Sequence, residues 1–319
     1  MDVCFVNPPV VTSSKDRKER ADKAIEIFQK RCDQQKGLSD NRWKAWVEMH
    51  KNMADALTQE NLINFQSHKA IAPQITGGSG RHFLRKISEQ LGPKTLDDLL
   101  RNHTETTCGK PKDLVCENGV YITITSMRHL FHLSKIKKYF DLFYRQPLSA
   151  IEIGGGFGNL ARMVLSYDLC FKYYIIDHPI LNTIQFFYLT DFFPGSDVAI
   201  VDEKGIFLNG SESSKVFLCS MFGYNWLFEN IEKKYALFST MALTEIPKKG
   251  QDEYLKALSP SFMYIVGQSK NLCVQGGQSA EGKTFDNKDF IINIMQKYHS
   301  LEYNFWGYFF EYIGRIKSL

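Results

Sequence analysis

The stretch AIEIGGGFGNL, residues 150–160, sets Gly154, Gly155, Gly156 and Gly158 directly behind an acid, Glu152. A glycine cluster this dense costs backbone entropy in any folded state. It is kept where the main chain needs positive φ or where another body approaches it closely. Ahead of it, SAIEIG (149–154) has the apolar texture of a strand; behind it, NLARMVLSY has a helical period. The glycines therefore fall on a strand-to-helix turn. A second apolar run, KYYIID (172–177), ends on Asp177. Pro179 follows and opens the helix ILNTIQFFYLTDFF, proline being favoured in a first helical turn.

Working outward, KVFLCSMF (215–222), YALFSTM (235–241) and SFMYIVGQS (261–269) read as three further strands. LTEIPKKGQDEYLKAL contains a helix starting beyond Pro247, and NKDFIINIMQKY (287–298) is an amphipathic helix. The tail LEYNFWGYFFEYIGRI alternates aromatic with polar or small residues, as an antiparallel hairpin does. Strand–helix alternation of this kind predicts an α/β fold: a Rossmann-like, doubly wound, mostly parallel sheet with an antiparallel C-terminal hairpin.

From Ser14 to about Phe140 the chain is charged, helical in period and poor in strand signals. Ala21, Ile25, Phe28 and Cys32 form one helical stripe. Trp43, Trp46, Val47, His50, Met53 and Leu57 form a second, with Ser39 as its cap. Thr95 with Asp98 matches a capping box. YITIT (121–125) reads as a strand or extended connector before a helix from Met127 to Phe140. The glycine-rich ITGGSGRHFLRK (75–86) reads as a solvated loop or as one that closes over a ligand. Two regions are expected: a mainly helical substrate or oligomerisation region, 1–145, and a cofactor-binding domain, 146–319.

The 39 basic and 35 acidic residues give a net charge of +4, a balance that argues against a nucleic-acid partner. The seven cysteines (Cys4, Cys32, Cys108, Cys116, Cys170, Cys219 and Cys273) form no C-x-x-C pair, which suits free thiols in a reducing compartment. Cys108 and Cys116 near His103 fit no common zinc spacing. No apolar run reaches the length of a membrane span, so a cytoplasmic location is expected.

The turn then has to be matched to a ligand. A dinucleotide fingerprint, G-x-G-x-x-G, read from Gly154 meets Asn159 where its third glycine belongs. No Lys-Ser or Lys-Thr follows the glycines, so a P-loop is absent as well. What stands is E-x-G-x-G-x-G. An acid at the mouth of the turn repels a pyrophosphate and suits a cation. S-adenosylmethionine carries an ammonium and a sulfonium and no phosphate. Asp177, at the end of the second strand, is placed for ribose hydroxyls. The cofactor set is then Glu152, Gly154, Gly156, Gly158 and Asp177, with Ser220 and Met221 edging the adenine.

With those residues in hand, IEIGGGFGNLARMVL followed by YYIIDHPILNTIQFFYL resembles the class I S-adenosylmethionine-dependent methyltransferases. More narrowly, it resembles the sugar O-methyltransferases found with bacterial surface-polysaccharide genes. Glu152, Gly154, Gly156, Gly158, Asp177, Pro179, Gln185, Tyr188 and Leu189 carry that likeness. LFSTMALTEIPKKGQDEYL adds a looser match, in which Ile246 stands where Met is common. The resemblance covers roughly residues 120 to 270. It implies methylation of a hydroxyl on a sugar or glycan-linked acceptor, with substrate choice made in the helical region.

Moving a methyl from sulfonium to a hydroxyl needs alignment, exclusion of water and a group to take the proton. Glu245, after the fourth strand, is a candidate base or a helix N-terminal carboxylate. His129 and Arg128 in SMRHLFHLSKIKKY stand as base and anion partner, or as a solvated helix face. His178 stands as a helix-start residue beside the site, and His82 as a lid residue. No metal is expected, since Glu245 has only Asp252 and Glu253 some residues on. Other readings are a methyltransferase for another small molecule, a nicotinamide oxidoreductase, and a non-catalytic interaction protein that keeps the fold as a scaffold; the charged helical region also suits a homodimer or docking to a biosynthetic complex.

Overall fold

The computed structural model describes residues 12–35, 44–75, 87, 89–117, 120–223, 225–246, 248–268, 287–306 and 309–317. Ser39, Trp43, His82 and the rest of the 76–86 stretch lie outside them, as do the side chains of Cys32, Trp46 and Val47.

The helical part comprises α1 (Ser14–Gln35), α2 (Lys44–Asp55), α3 (Gln59–Ile63), α4 (Ala72–Ile75) and α5 (Pro93–Arg101). A short antiparallel pair follows, β1 (Val115–Glu117) and β2 (Val120–Ile122), and then α6 (Ile124–Phe143). The stripe that α1 buries is Arg17, Ala21, Ala24, Ile27 and Arg31, one position round from the expected one, with Ile25 and Phe28 half-buried. An apolar count passes over the two arginines, which reach other parts of the chain: Arg17 donates to the Thr107 hydroxyl and Arg31 to Glu203. Helix α5 starts at Gly92 and Pro93, so Thr95 sits inside the helix and caps nothing. Helix α6 starts three residues early because the Thr123 hydroxyl accepts the Ser126 N–H, which takes the second half of YITIT out of the strand.

From residue 148 the chain builds β3 (Leu148–Ile153), α7 (Asn159–Ser166), β4 (Cys170–Asp177), α8 (Pro179–Leu189), β5 (Val198–Val201), β6 (Phe207–Asn209), β7 (Val216–Ser220) and α9 (Asn225–Asn230). It continues through β8 (Tyr235–Thr240), α10 (Ala242–Glu245), α11 (Lys248–Ala257), β9 (Phe262–Gln268), α12 (Lys288–Lys297), β10 (Tyr298–Trp306) and β11 (Phe309–Ile316). The sheet order is β10-β11-β9-β8-β3-β4-β7-β5-β6. The six strands from β9 to β5 are parallel, and the C-terminal hairpin is antiparallel, as expected. The edge pair β5–β6 was not foreseen: VAIV is four apolar residues without alternation, and FLN is shorter still.

Alternation along the strands divides the interior in two. Ala150, Tyr173, Ile175, Leu218, Phe238 and Tyr264 face α1, α6, α7 and α8 in one core. Ile151, Tyr174, Phe217, Leu237 and Ile265 face α9, α11 and α12 in the other. The helical region thus shares a core with one face of the sheet, and the buried stripe of α1 is used within the chain, against α8. Among the described residues no helix is long and apolar enough to cross a membrane.

Candidate active site

In a doubly wound sheet, ligands meet the carboxyl ends of the strands where the strand order reverses, which here is beside β3. The chain leaves β3 through Gly154, Gly156 and Gly158, at φ +75°, +56° and +91°. Each glycine answers to a different neighbour. A Cβ on Gly154 would lie 2.0 Å from the Ala242 Cβ, and one on Gly158 would lie 3.1 Å from Leu189. These two let α10 and α8 close on the turn. A Cβ on Gly156 would meet nothing nearer than the Ile75 carbonyl at 3.6 Å. Gly156 is the open position, and Ile75, which begins the 75–86 stretch, stands over it.

Glu152 points into the same side of the sheet and accepts the Tyr173 hydroxyl at 3.1 Å. Burial pushes its carboxyl up to about 8; the Tyr173 bond opposes this, and the neighbouring Asp177 adds to it. Asp177 is turned into the glycine turn. It accepts the His178 N–H at 2.8 Å and the Gln185 side-chain amide at 2.8 Å, and Gln185 also donates to the Gly156 carbonyl at 3.0 Å. Burial raises Asp177 to about 7, against the pull of His178, Gln185 and the N–H groups of Gly155 and Gly156. Glu152 and Asp177 are therefore two buried acids around one turn, and Asp177 closes that turn before it meets any ligand.

Ser220 is Asp177's neighbour across the β4–β7 register, and the Met221 N–H donates to the Asp177 carbonyl at 2.9 Å. Both are buried at the strand ends. His178 caps α8, its Nδ1 accepting the Ile180 N–H at 3.4 Å. Its ring stacks on that of His50 at 4.8 Å with planes 15° apart, and burial, His50 and Arg31 hold it well below its ordinary pKa. Arg31, buried on α1, donates to Asn182, to the Val201 carbonyl and to Glu203. The N-terminal helices therefore reach the strand ends through His50 and Arg31, a contact the sequence reading placed in core stripes or passed over.

At the end of β8, Met241 takes φ +93°, a conformation a side chain rarely adopts and one that marks functional turns. The helical turn it opens, α10, packs Ala242 on Gly154 and ends at Glu245. The Glu245 carboxyl is raised by burial, and it has no hydrogen-bond partner among the described residues.

On the opposite side of the turn, Asn159 joins three helices. Its Oδ1 accepts Arg162 Nε at 3.0 Å, Arg162 Nη2 at 2.8 Å and the Tyr188 hydroxyl at 2.7 Å. Its Nδ2 meets Ser126 Oγ at 3.1 Å and His129 Nδ1 at 3.0 Å. His129 packs on Phe157, ring to ring at 6.4 Å. The structure thus brings His129 to the glycine turn. Arg128 lies half-buried, its charge answered by Asp113. Asn159 and Gln185 hold the site together without having been singled out as site residues. His103 bonds Glu105, away from Cys108, and among the described residues no group of three His, Cys, Asp or Glu side chains is placed to hold a metal.

No protein-family model matches the chain, and no curated protein sequence does. Solved structures do. TrmK of M. capricolum in complex with S-adenosyl-homocysteine is 11% identical over 58% of this chain and 68% of its own, with a TM-score of 0.34. The methyltransferase domain of a bacterial Hen1 is 11% identical over 58% and 97%, with a TM-score of 0.40. An rRNA methylase from Escherichia coli is 13% identical over 94% and 95%, with a TM-score of 0.34. Identities this low concern the fold alone, and with TM-scores below one half the reading of the site rests on the chain's own strand order and residues.

Proposed function

We propose that this chain is an S-adenosylmethionine-dependent methyltransferase acting on the hydroxyl of a sugar or glycan-linked acceptor. The observation that carries the cofactor reading is the pair Glu152 and Asp177, two buried acids around an open Gly156. A phosphate keeps these acids protonated and finds no countercharge there, whereas an ammonium or sulfonium ionises the acids and is held by them. Of the neighbours in fold, one is described as a complex with S-adenosyl-homocysteine and another as a methyltransferase domain, which agrees with this reading.

In this reading Glu152 and the turn take the methionine end, Ser220 and Met221 edge the adenine, and Asp177, which braces the turn, takes the ribose hydroxyls. The cofactor supplies a methyl group already activated on sulfur. The chain's own part is to align the acceptor, keep water out and take one proton. Glu245, at the end of the helical turn whose Ala242 packs on Gly154, and His129, packed on Phe157, are the candidates for the last task, with Arg128 beside His129 for an anionic part of the acceptor. The sugar reading rests on the resemblance of residues 150–189. The small net charge is no bar to a nucleic-acid acceptor, and one of the neighbours in fold is an rRNA methylase.

Calorimetric titration with S-adenosylhomocysteine, with NAD as control, tests the cofactor. Micromolar binding of the first alone is the expected result; binding of NAD, or of neither, overturns the reading. A panel of nucleotide sugars, oligosaccharides and structured RNA, followed as S-adenosylhomocysteine release, then tests the acceptor. Turnover confined to RNA overturns the sugar assignment.

A further inference from the structure

His129 and His132 lie one turn apart on α6, their rings 6.2 Å from each other and tilted by 42°. Each is held through Nδ1, and the two bonds run in opposite senses. Arg162 can only donate, so the oxygen of the Asn159 amide must face it, and the amide cannot be turned round. Its N–H therefore points at His129 Nδ1, 3.0 Å away, which must be bare. A neutral His129 then carries its proton on Nε2.

His132 is held the other way. Its Nδ1 lies 2.7 Å from the Tyr264 hydroxyl, and Tyr264 gives its hydrogen to Glu311 Oε1 at 2.8 Å. A hydroxyl whose hydrogen is committed to a carboxylate can only accept, so His132 Nδ1 carries the proton and Nε2 is bare. Glu311 is wholly buried; its other oxygen accepts Asn304 Nδ2 at 2.9 Å, with the Lys135 ammonium at 3.7 Å. Among the described residues neither Nε2 has a protein partner. Helix α6 thus offers one N–H and one bare nitrogen, with His129 packed on the glycine turn through Phe157.

A hydroxyl accepts one hydrogen bond and gives another; an ammonium only gives, and a carboxylate or phosphate only accepts. At a centroid separation of 6.2 Å the rings are too far apart to bond each other directly, and there is room for one oxygen between two imidazoles so spaced. We propose that His129 and His132 seat the hydroxyl of the acceptor, His129 donating to its oxygen and His132 taking its proton. This rests on the methyltransferase reading, gives the proton to His132 in place of His129 or Glu245, and makes an alcohol hydroxyl the accepting group. The acceptor oxygen bonds to the methyl carbon with its own lone pair, the carbon–sulfur pair stays on sulfur, and the O–H pair stays on oxygen. The proton goes to His132 Nε2; His132 Nδ1–H can pass to Tyr264 as Tyr264 passes its own to Glu311. Tyr264 and Glu311 are positioning residues. Burial, reinforced by Arg128, pushes His132 down to about 3, so the ring is neutral in the neutral range and a proton taken at Nε2 has to be passed on through Nδ1–H.

Nitrogen-15 spectra of the labelled full chain separate protonated from bare ring nitrogens, with H129Q and H132Q assigning the signals. The expected result is Nε2–H at His129 and Nδ1–H at His132. The same tautomer at both, or the reverse pair, overturns the proposal, and this readout needs no cofactor. Y264F should move His132 toward Nε2–H and leave His129 unchanged. E311L, which removes the acceptor of the Tyr264 hydrogen, should act in the same direction, and serves if Y264F does not fold. A His132 signal unmoved by a folded variant of either kind overturns the relay. In turnover on an alcohol from the panel, H132Q should lower kcat about 100-fold or more at unchanged S-adenosylhomocysteine affinity. An unchanged kcat overturns the proton-accepting role. Failure of the wild-type chain to bind S-adenosylhomocysteine would instead sink the methyltransferase reading, with the tautomer result standing apart from it.

Discussion

Gln185 Nε2 lies 2.8 Å from Asp177 Oδ2 and 3.0 Å from the Gly156 carbonyl, so one side chain of α8 ties the acid at the end of β4 to the glycine turn. The same side chain accepts Asn182 Nδ2 through its own oxygen at 2.9 Å. Replacing Gln185 by Leu removes all three bonds at a buried site and strips a donor from a buried acid. The loss should be about 2–4 kcal/mol of stability, read as a lowered urea midpoint. S-adenosylhomocysteine affinity should fall with it, because the turn loses its brace.

Gly154 and Gly156 should behave differently although they are two residues apart. Gly154→Ala meets both positive φ and a 2.0 Å approach to Ala242, and should cost roughly 2–4 kcal/mol in chemical denaturation. Gly156→Ala carries the backbone strain alone, about 1–2 kcal/mol. Its added methyl group points where a ligand would lie, so its larger effect should be on S-adenosylhomocysteine affinity in calorimetry.

Glu152 and Asp177, raised to about 8 and about 7, set the direction of a pH effect. A carboxyl whose folded pKa lies above its unfolded one holds a proton that the unfolded chain has lost. Its contribution is complete at low pH and fades as pH rises through the folded value. The melting temperature of the ligand-free protein should therefore decline between about pH 5 and pH 8, and E152Q should flatten that decline. A cationic ligand reverses the preference. Its binding should release protons, visible as a dependence of the calorimetric heat on the ionisation enthalpy of the buffer.

Arg31 and Lys30 are adjacent on α1 and should differ in worth. Arg31 is buried against Asn182, the Val201 carbonyl and Glu203, so Arg31→Met should cost about 3–5 kcal/mol. The Lys30–Glu26 pair is solvent-exposed, and Lys30→Ala should leave the urea midpoint where it was. Equal effects would mean that α1 is not docked on α8 through Arg31.

What could be read in advance was whatever rests on local pattern. The β3 turn, Asp177, the helix start at Pro179 and the C-terminal hairpin are all written in neighbouring residues, and the structure has them in place. Strand β5 was hidden because four apolar residues have no period to show. Helix α1 was found, but the stripe it buries includes Arg17 and Arg31, whose partners lie on other elements. The site shows the same division. Glycines with special φ are visible in a sequence; the Asn159 hub is not, because Ser126, His129, Arg162 and Tyr188 come together only once α6, α7 and α8 are packed. His132 stood three residues from His129 in plain view, a helical spacing, but the groups that decide its tautomer, Tyr264 and Glu311, are more than a hundred residues away.

Asn287 sits just ahead of α12 and donates to the carbonyls of Gln268, the last residue of β9, at 2.7 Å and of Thr244 at 3.2 Å, while accepting Gln251 Nε2 at 2.9 Å. The chain therefore departs and returns through a single clasp beside Glu245. Changing the number of residues between two fixed ends costs little, growing only with the logarithm of their number. Gln268 and Asn287 thus make a socket in the engineering sense, two fixed ends beside Thr244 and Glu245. The number of residues that joins them can change between descendants of this scaffold without loading the sheet.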